Sequence, residues 1–179
     1  MRRRDRTRWR ETLAASLAEA PPFVGCALRP GRHEDEPLLF ALHRESMREY
    51  VTQTWGWDEH WQRVHFLKAY VAVNHAVIVR REPQAPRAED RIVGRVCLTR
   101  HWRRIFLRDI ELVAGERNRG LGTAIVRAVL DLARSERRAV ELLVLKCNPA
   151  QRLYARLGFG VIVDDGARLT MRCETTTSA

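Results

Sequence analysis

The sequence predicts a single α/β domain, and three observations carry that reading. Val140 to Leu145 is a short run, apolar except at Glu141, of the kind shown by a strand covered on both faces. Just before it, Leu121, Ile125, Ala128 and Leu132 fall on one helical stripe, with Arg127, Arg134 and Arg137 largely off it. The chain has 179 residues, 45% hydrophobic and 30% charged, enough for one soluble globular core and too few for a second full domain.

The first twenty residues carry six arginines and then an Ala-rich stretch, which reads as a loosely docked helical arm ahead of Pro21-Pro22. On that reading residues 21–173 form the domain, and 174–179 a disordered tail. Phe23 to Leu28 suggests a strand and Arg29 to Pro37 a charged turn. From Leu38 to about Thr52, Leu39, Leu42, Met47, Tyr50 and Val51 recur at helical spacing. Trp55-Gly56-Trp57 interrupts that helix, and Asp58 is placed to cap a second one running through Trp61, Val64, His65 and Lys68. Ala76–Arg80, Arg91–Thr99 and Ile105–Val113 read as strands, with a Pro-containing charged loop over Glu82–Asp90. After the buried run, Asn148-Pro149 is a strong helix start, and Gly158 is suited to a left-handed helix end. Phe159–Val163 and Arg168–Arg172 close the chain as a hairpin around Asp164-Asp165-Gly166.

Composition excludes several classes. The net charge of +10 suits phosphates or other anions, yet only Lys68 and Lys146 are lysines, so the excess is discounted as a general preference for arginine. No stretch approaches a membrane span and no signal-peptide core follows the basic start, so a cytoplasmic protein is expected. Asp5, Glu11 and Glu19 argue against a mitochondrial presequence. Cys26, Cys97, Cys147 and Cys173 are far apart and fit neither a disulfide framework nor a metal cluster, and no metal is expected. H-E-x-x-H, G-x-S-x-G and the G-x-x-x-x-G-K-[ST] phosphate loop are all missing.

The informative segment is Glu116-Arg117-Asn118-Arg119-Gly120-Leu121-Gly122-Thr123, set between a strand and the long helix. A helix N-terminus offers unpartnered N–H groups and a positive dipole end, and glycines let an anion approach them. Arg117, Arg119 and the Thr123 hydroxyl add donors suited to a diphosphate. Ile125 stands where a dinucleotide fingerprint needs its third glycine, so a Rossmann cofactor is not favoured.

Arg-x-x-Gly-x-Gly, followed by a helix, a buried strand, Asn148-Pro149-Ala150, Leu153-Tyr154 and Leu157-Gly158-Phe159, resembles the acetyl-CoA-binding core of the GNAT N-acetyltransferase superfamily. The likeness is specific over Arg91–Met171 and looser over Phe23–Arg80. It implies a splayed mixed sheet of six or seven strands with helices on both faces. It also implies acetyl-CoA as acetyl donor, transferred to a primary amine of a small molecule, peptide or protein by direct attack through a tetrahedral intermediate. The N–H groups of Asn118, Arg119, Gly120, Leu121, Gly122 and Thr123 would then hold the pyrophosphate. Main-chain groups of Leu112, Val113 and Ala114 would meet the pantetheine arm, with an N–H near Leu112 or Val113 serving the oxyanion. Tyr154 would protonate the departing thiolate. Asn148 would cap its helix, touch the cofactor, or both. Ala114 and Asn118 replace a frequent proline and glycine of the family without removing an N–H donor.

The acceptor side is less determined. Glu111 and Asp109 share one strand face unless a bulge intervenes, and are candidates for the base; the alternatives are strand-edge carboxylates paired with Arg104, Arg108 or neighbours, and deprotonation through water. Trp55 and Trp57, with Glu45, Glu49 or Asp58, suit a cationic amine, or simply anchor the helix pair. Cys147 reads as a reduced core thiol. A catalytically silent acetyl-CoA sensor is the alternative function. Nucleic acid is not expected as a partner despite Arg-rich Met1–Arg10, and a homodimer is left open.

Overall fold

The computed structural model describes residues 8–80 and 91–175. Seven strands form one sheet: β1 (Cys26–Pro30), β2 (His75–Arg80), β3 (Arg91–Arg100), β4 (Arg104–Leu112), β5 (Ala139–Leu145), β6 (Gly160–Asp164) and β7 (Arg168–Cys173). Their order is β1-β2-β3-β4-β5-β7-β6, and every neighbouring pair is antiparallel except β4–β5. This is the mixed, open sheet that the sequence implied. Its one parallel pair needs a crossover, supplied by helix α4 (Leu121–Ser135). The charged loop expected over Glu82–Asp90 lies outside the described residues.

Helices cover both faces. One carries α1 (Arg8–Ala18) and α4, the other α2 (Glu36–Trp55) and α3 (Glu59–Ala69), while α5 (Ala150–Arg156) packs beside β5. The expected α4 stripe of Leu121, Ile125, Ala128 and Leu132 is buried, as are Val126, Val129 and Leu130. Against α4 lies α1, and that contact corrects the expectation of a loosely docked arm: Trp9, Leu13 and Leu17 are sealed in the main core. Burial of three such side chains contributes about 2 kcal/mol each, which a helix of this length needs in order to persist. Residues 1–7 fall outside the description, as do 176–179. Of the tail expected to be disordered, Thr175 is buried and donates its hydroxyl to the Arg138 carbonyl.

Local chemistry sets the element ends. Asp58 accepts from the Trp61 N–H at 2.7 Å and starts α3. Asn148 Oδ1 accepts from the Ala150 N–H at 2.9 Å, so α5 begins two residues later than Asn148 itself. The strand expected from Phe23 begins only at Cys26, because Pro21-Pro22-Phe23 forms a 3-10 turn. β5 is not covered throughout: Leu143, beyond the last residue paired with β4, is 41% exposed.

The decisive irregularity is in β4. Cys97 pairs with Asp109 but Leu98 pairs with Leu107, leaving Arg108 as an extra residue. One extra residue reverses which way every later side chain points. Ile105 and Leu107 therefore pack into the α4-side core, whereas Asp109 and Glu111 turn toward α2. At the same point β4 and β5 separate, since their pairing ends at Leu107–Leu142.

Candidate active site

A cleft of about 700 Å³ occupies the gap where β4 and β5 part. It is lined by Ile110, Glu111 and Leu112 of β4, by the glycine loop and by Tyr154 of α5, and α2 forms a further wall through Ser46, Met47 and Tyr50. Sequence-distant residues thus meet where the sheet has lost its own hydrogen bonding.

The glycine loop leaves its backbone donors open. Asn118 and Gly120 both take the left-handed conformation, with φ of 60° and 84°. Asparagine tolerates that region better than most residues, which explains how it replaces glycine at 118. The first backbone bond of α4 runs from the Ala124 N–H to the Gly120 carbonyl at 3.0 Å. Among the described residues, the N–H groups of Asn118 to Thr123 donate to no backbone carbonyl. Open N–H groups at a dipole's positive end could take a diphosphate. A Cβ at Gly120 would lie 3.1 Å from Pro22 and one at Gly122 would lie 3.7 Å from Leu153, so side chains there would fill the space beside the loop.

The two arginines divide. Arg119 is two-thirds exposed and held only at the surface, 3.7 Å from Glu116 and 3.4 Å from the Gly115 carbonyl. Arg117 is instead a brace: its Nε donates to the Leu112 carbonyl at 2.7 Å, and its Nη2 reaches Ser46 Oγ at 3.1 Å and Glu45 at 3.2 Å. Leu112, Val113 and Ala114 also differ from one another. The Val113 N–H is held by the Val93 carbonyl at 3.0 Å, and the Ala114 N–H by Glu45 at 2.9 Å. In an antiparallel ladder bonded pairs alternate, so Leu112, opposite Gly94, aims its N–H away from β3 into the cleft. Of the three N–H groups, this is the one left to meet a ligand.

Tyr154 packs on Phe159, with ring centroids 5.8 Å apart, and its hydroxyl has no hydrogen-bond partner among the described residues. Burial, assisted by the nearby Asp109 charge, pushes its pKa up to about 12, so it stays protonated and able to donate. Cys147 lies near Thr54 and the Tyr50 carbonyl as a free thiol.

Glu111 is 3% exposed and doubly held: Arg95 Nε donates to it at 2.6 Å, and His43 Nδ1 lies 2.7 Å from its other oxygen. Burial alone would raise its pKa, but Arg95 and His43 overcome this and hold it at about 2. Glu111 is thus a fixed negative charge. Asp109 lies 3.3 Å from Arg95 Nη1. Arg95 also approaches His75, whose pKa burial and the guanidinium charge push down to about 3, leaving that ring neutral. Neither carboxylate pairs with Arg104 or Arg108: Arg104 bridges to Glu141. Ligand atoms of His43, Asp109 and Glu111 lie within 4.8 Å of one another. The Arg95 guanidinium pairs with both carboxylates, so a fixed cation already meets the negative charge of this set.

A smaller cavity of about 170 Å³ adjoins this network, lined by His43, His65, Phe66, Tyr70, Arg108 and Asp109. Trp57 stands near it, 6.3 Å from the His43 ring, and donates to Glu59. Trp55 lies elsewhere, beneath the Arg168 guanidinium at 5.7 Å, which does not suit it to a second cation. Glu45 is spent on Ala114 and Asp58 on its helix cap, while Glu49 lines a separate groove along α2. Sequence reasoning missed His43 and Arg95. Arg95 did carry a signal: a cation in the middle of the apolar run Ile92 to Leu98 must be paired if it is buried.

No curated protein sequence matches the chain. Solved structures share its fold at low identity. The PaiA N-acetyltransferase of Thermoplasma acidophilum, in complex with coenzyme A, is 17% identical with a TM-score of 0.63, over 83% of this chain and 98% of that one. The ribosomal-protein-S18-alanine N-acetyltransferase of Escherichia coli is 14% identical with a TM-score of 0.59, over 86% and 96%. NAA60 of Arabidopsis thaliana, in complex with a bisubstrate analogue, is 17% identical with a TM-score of 0.56, over 83% and 98%. The model of the acetyltransferase (GNAT) family matches residues 38–159, more than half of the chain, and with the splayed sheet and open glycine loop in place the chain belongs to that family.

Proposed function

We propose that the protein is a cytoplasmic N-acetyltransferase that moves the acetyl group of acetyl-CoA to a primary amine. The observation that carries this reading is the cleft itself, lined by Asn118, Gly120, Gly122 and Thr123, whose N–H groups donate to no backbone carbonyl, and by Tyr154, whose hydroxyl has no partner among the described residues. Bound there, acetyl-CoA supplies an activated thioester carbonyl. The loop amides and Arg119 hold its diphosphate. The Leu112 N–H faces the gap and is placed to donate to the oxygen on which negative charge develops, an interaction of about 3 to 4 kcal/mol in comparable sites. Tyr154, kept protonated, hands its hydroxyl proton to the leaving sulfur.

A thermal-unfolding scan with and without acetyl-CoA tests the cofactor site. A ligand at about a thousand times its dissociation constant stabilises the native state by roughly 4 kcal/mol. Thiol release upon addition of primary amines then tests transfer. A shift with no thiol release from any amine would favour the acetyl-CoA sensor, and no shift at all would remove both readings.

A further inference from the structure

We infer that His43 is the base that removes the acceptor's proton, with Glu111 as the residue that positions it. The inference rests on the acetyltransferase reading above. His43 is on α2, one turn before Met47 and two before Tyr50, so it continues the helix face that walls the cleft. Its Nδ1 lies 2.7 Å from Glu111, whose other oxygen is taken by Arg95. An ionised carboxylate can only accept, so Nδ1 carries the proton and the Nε2 lone pair is on the opposite edge of the ring. That ring is 17% exposed and lines the small cavity with Asp109, while Glu111 touches the larger cleft that holds Tyr154. The pair therefore bridges the two cavities.

The groups facing His43 come from every element packed on it. Glu111 and Asp109 of β4 are negative, Arg95 of β3 is positive, and Phe40, Trp57 and Phe66 surround the ring. Burial would make the ring a weaker base, but Glu111, aided by Asp109 and opposed by Arg95, outweighs it and raises the pKa above its ordinary value. Glu111, at about 2, is too weakly basic to take an ammonium proton itself. In the step, an N–H bond of the acceptor's ammonium breaks and one forms at Nε2. The acceptor becomes a neutral amine, and the imidazolium is stabilised by Glu111 until it returns its proton to water.

The test uses the full chain, histidine NMR and thiol release from acetyl-CoA with 2-phenylethylamine, a primary amine suited to the aromatic lining. In the neutral ring of His43, identified by its loss in His43→Gln, the proton should be on Nδ1, and Glu111→Gln should lower its titration. His43→Gln should reduce kcat by about a hundred-fold or more and remove from the pH profile the low-pH rise in rate that deprotonation of the base produces. The acetyl-CoA thermal shift should persist in the variant. Turnover surviving in His43→Gln, or a proton on Nε2, overturns the inference while leaving the acetyltransferase reading intact. A wild-type chain that binds acetyl-CoA but releases no thiol with this or any other amine overturns both.

Discussion

Replacing Arg95 with Met tests the buried network most sharply. Arg95 and Glu111 are 2% and 3% exposed, so neither charge has water to fall back on when the other is removed. Burial desolvates each ion at a cost of several kcal/mol, and their attraction offsets it only while both are present. The size of the effect can be worked from Glu111, whose pKa stands at about 2 in place of an ordinary 4.5. At 1.36 kcal/mol per pH unit, that difference is about 3 kcal/mol of stability at neutral pH. Removing one partner of a buried pair typically costs about 3 to 5 kcal/mol, which agrees. Against a total of about 5 to 15 kcal/mol, Arg95→Met should be severely destabilised.

Urea denaturation measures it: with a slope near 2 kcal/mol/M, the midpoint should fall by roughly 2 M. The pH dependence separates this account from a packing defect. A carboxylate with a depressed pKa stabilises the fold above its ordinary value and loses that contribution as pH falls through the folded value. The wild type should therefore weaken between pH 4.5 and about 2, and the gap to Arg95→Met should narrow over the same interval. Adding Glu111→Gln to Arg95→Met should recover a good part of the loss, because the orphaned charge is gone. A cost below about 1 kcal/mol, or one that does not change with pH, would refute the charge-pair reasoning.

Tyr154→Phe should lower turnover by about a hundred- to ten-thousand-fold while acetyl-CoA affinity holds, measured by thiol release and calorimetry; unchanged turnover removes Tyr154 as the acid. Gly120→Glu should abolish the acetyl-CoA thermal shift, since φ of 84° strains any side chain and a carboxylate there repels a diphosphate. Leu13→Ala should cost about 3 kcal/mol in urea denaturation, because Leu13 is wholly buried in the main core. A change within about 0.5 kcal/mol would mean that α1 docks loosely after all.

The elements whose evidence is local were legible in the sequence. The α4 stripe, the Asp58 and Asn148 caps and the glycine loop with its anion-binding geometry each depend on residues within a turn or two of one another. Tyr154 stands out in the sequence only through its place in a motif. Only the tertiary structure decided what the two carboxylates do. The bulge at Arg108 leaves no composition signal, yet it turns Asp109 and Glu111 from the core face to α2. Arg95 and His43, the partners that hold Glu111 ionised, lie 16 and 68 residues from it in sequence. The same holds at the N-terminus, where the arginine-rich start reads as a loosely docked arm but Trp9, Leu13 and Leu17 meet a hydrophobic surface on α4. Periodicity reports which face of a segment is apolar; what that face meets is settled by the packing of distant segments, because burial and charge pairing are properties of space and not of the chain's order.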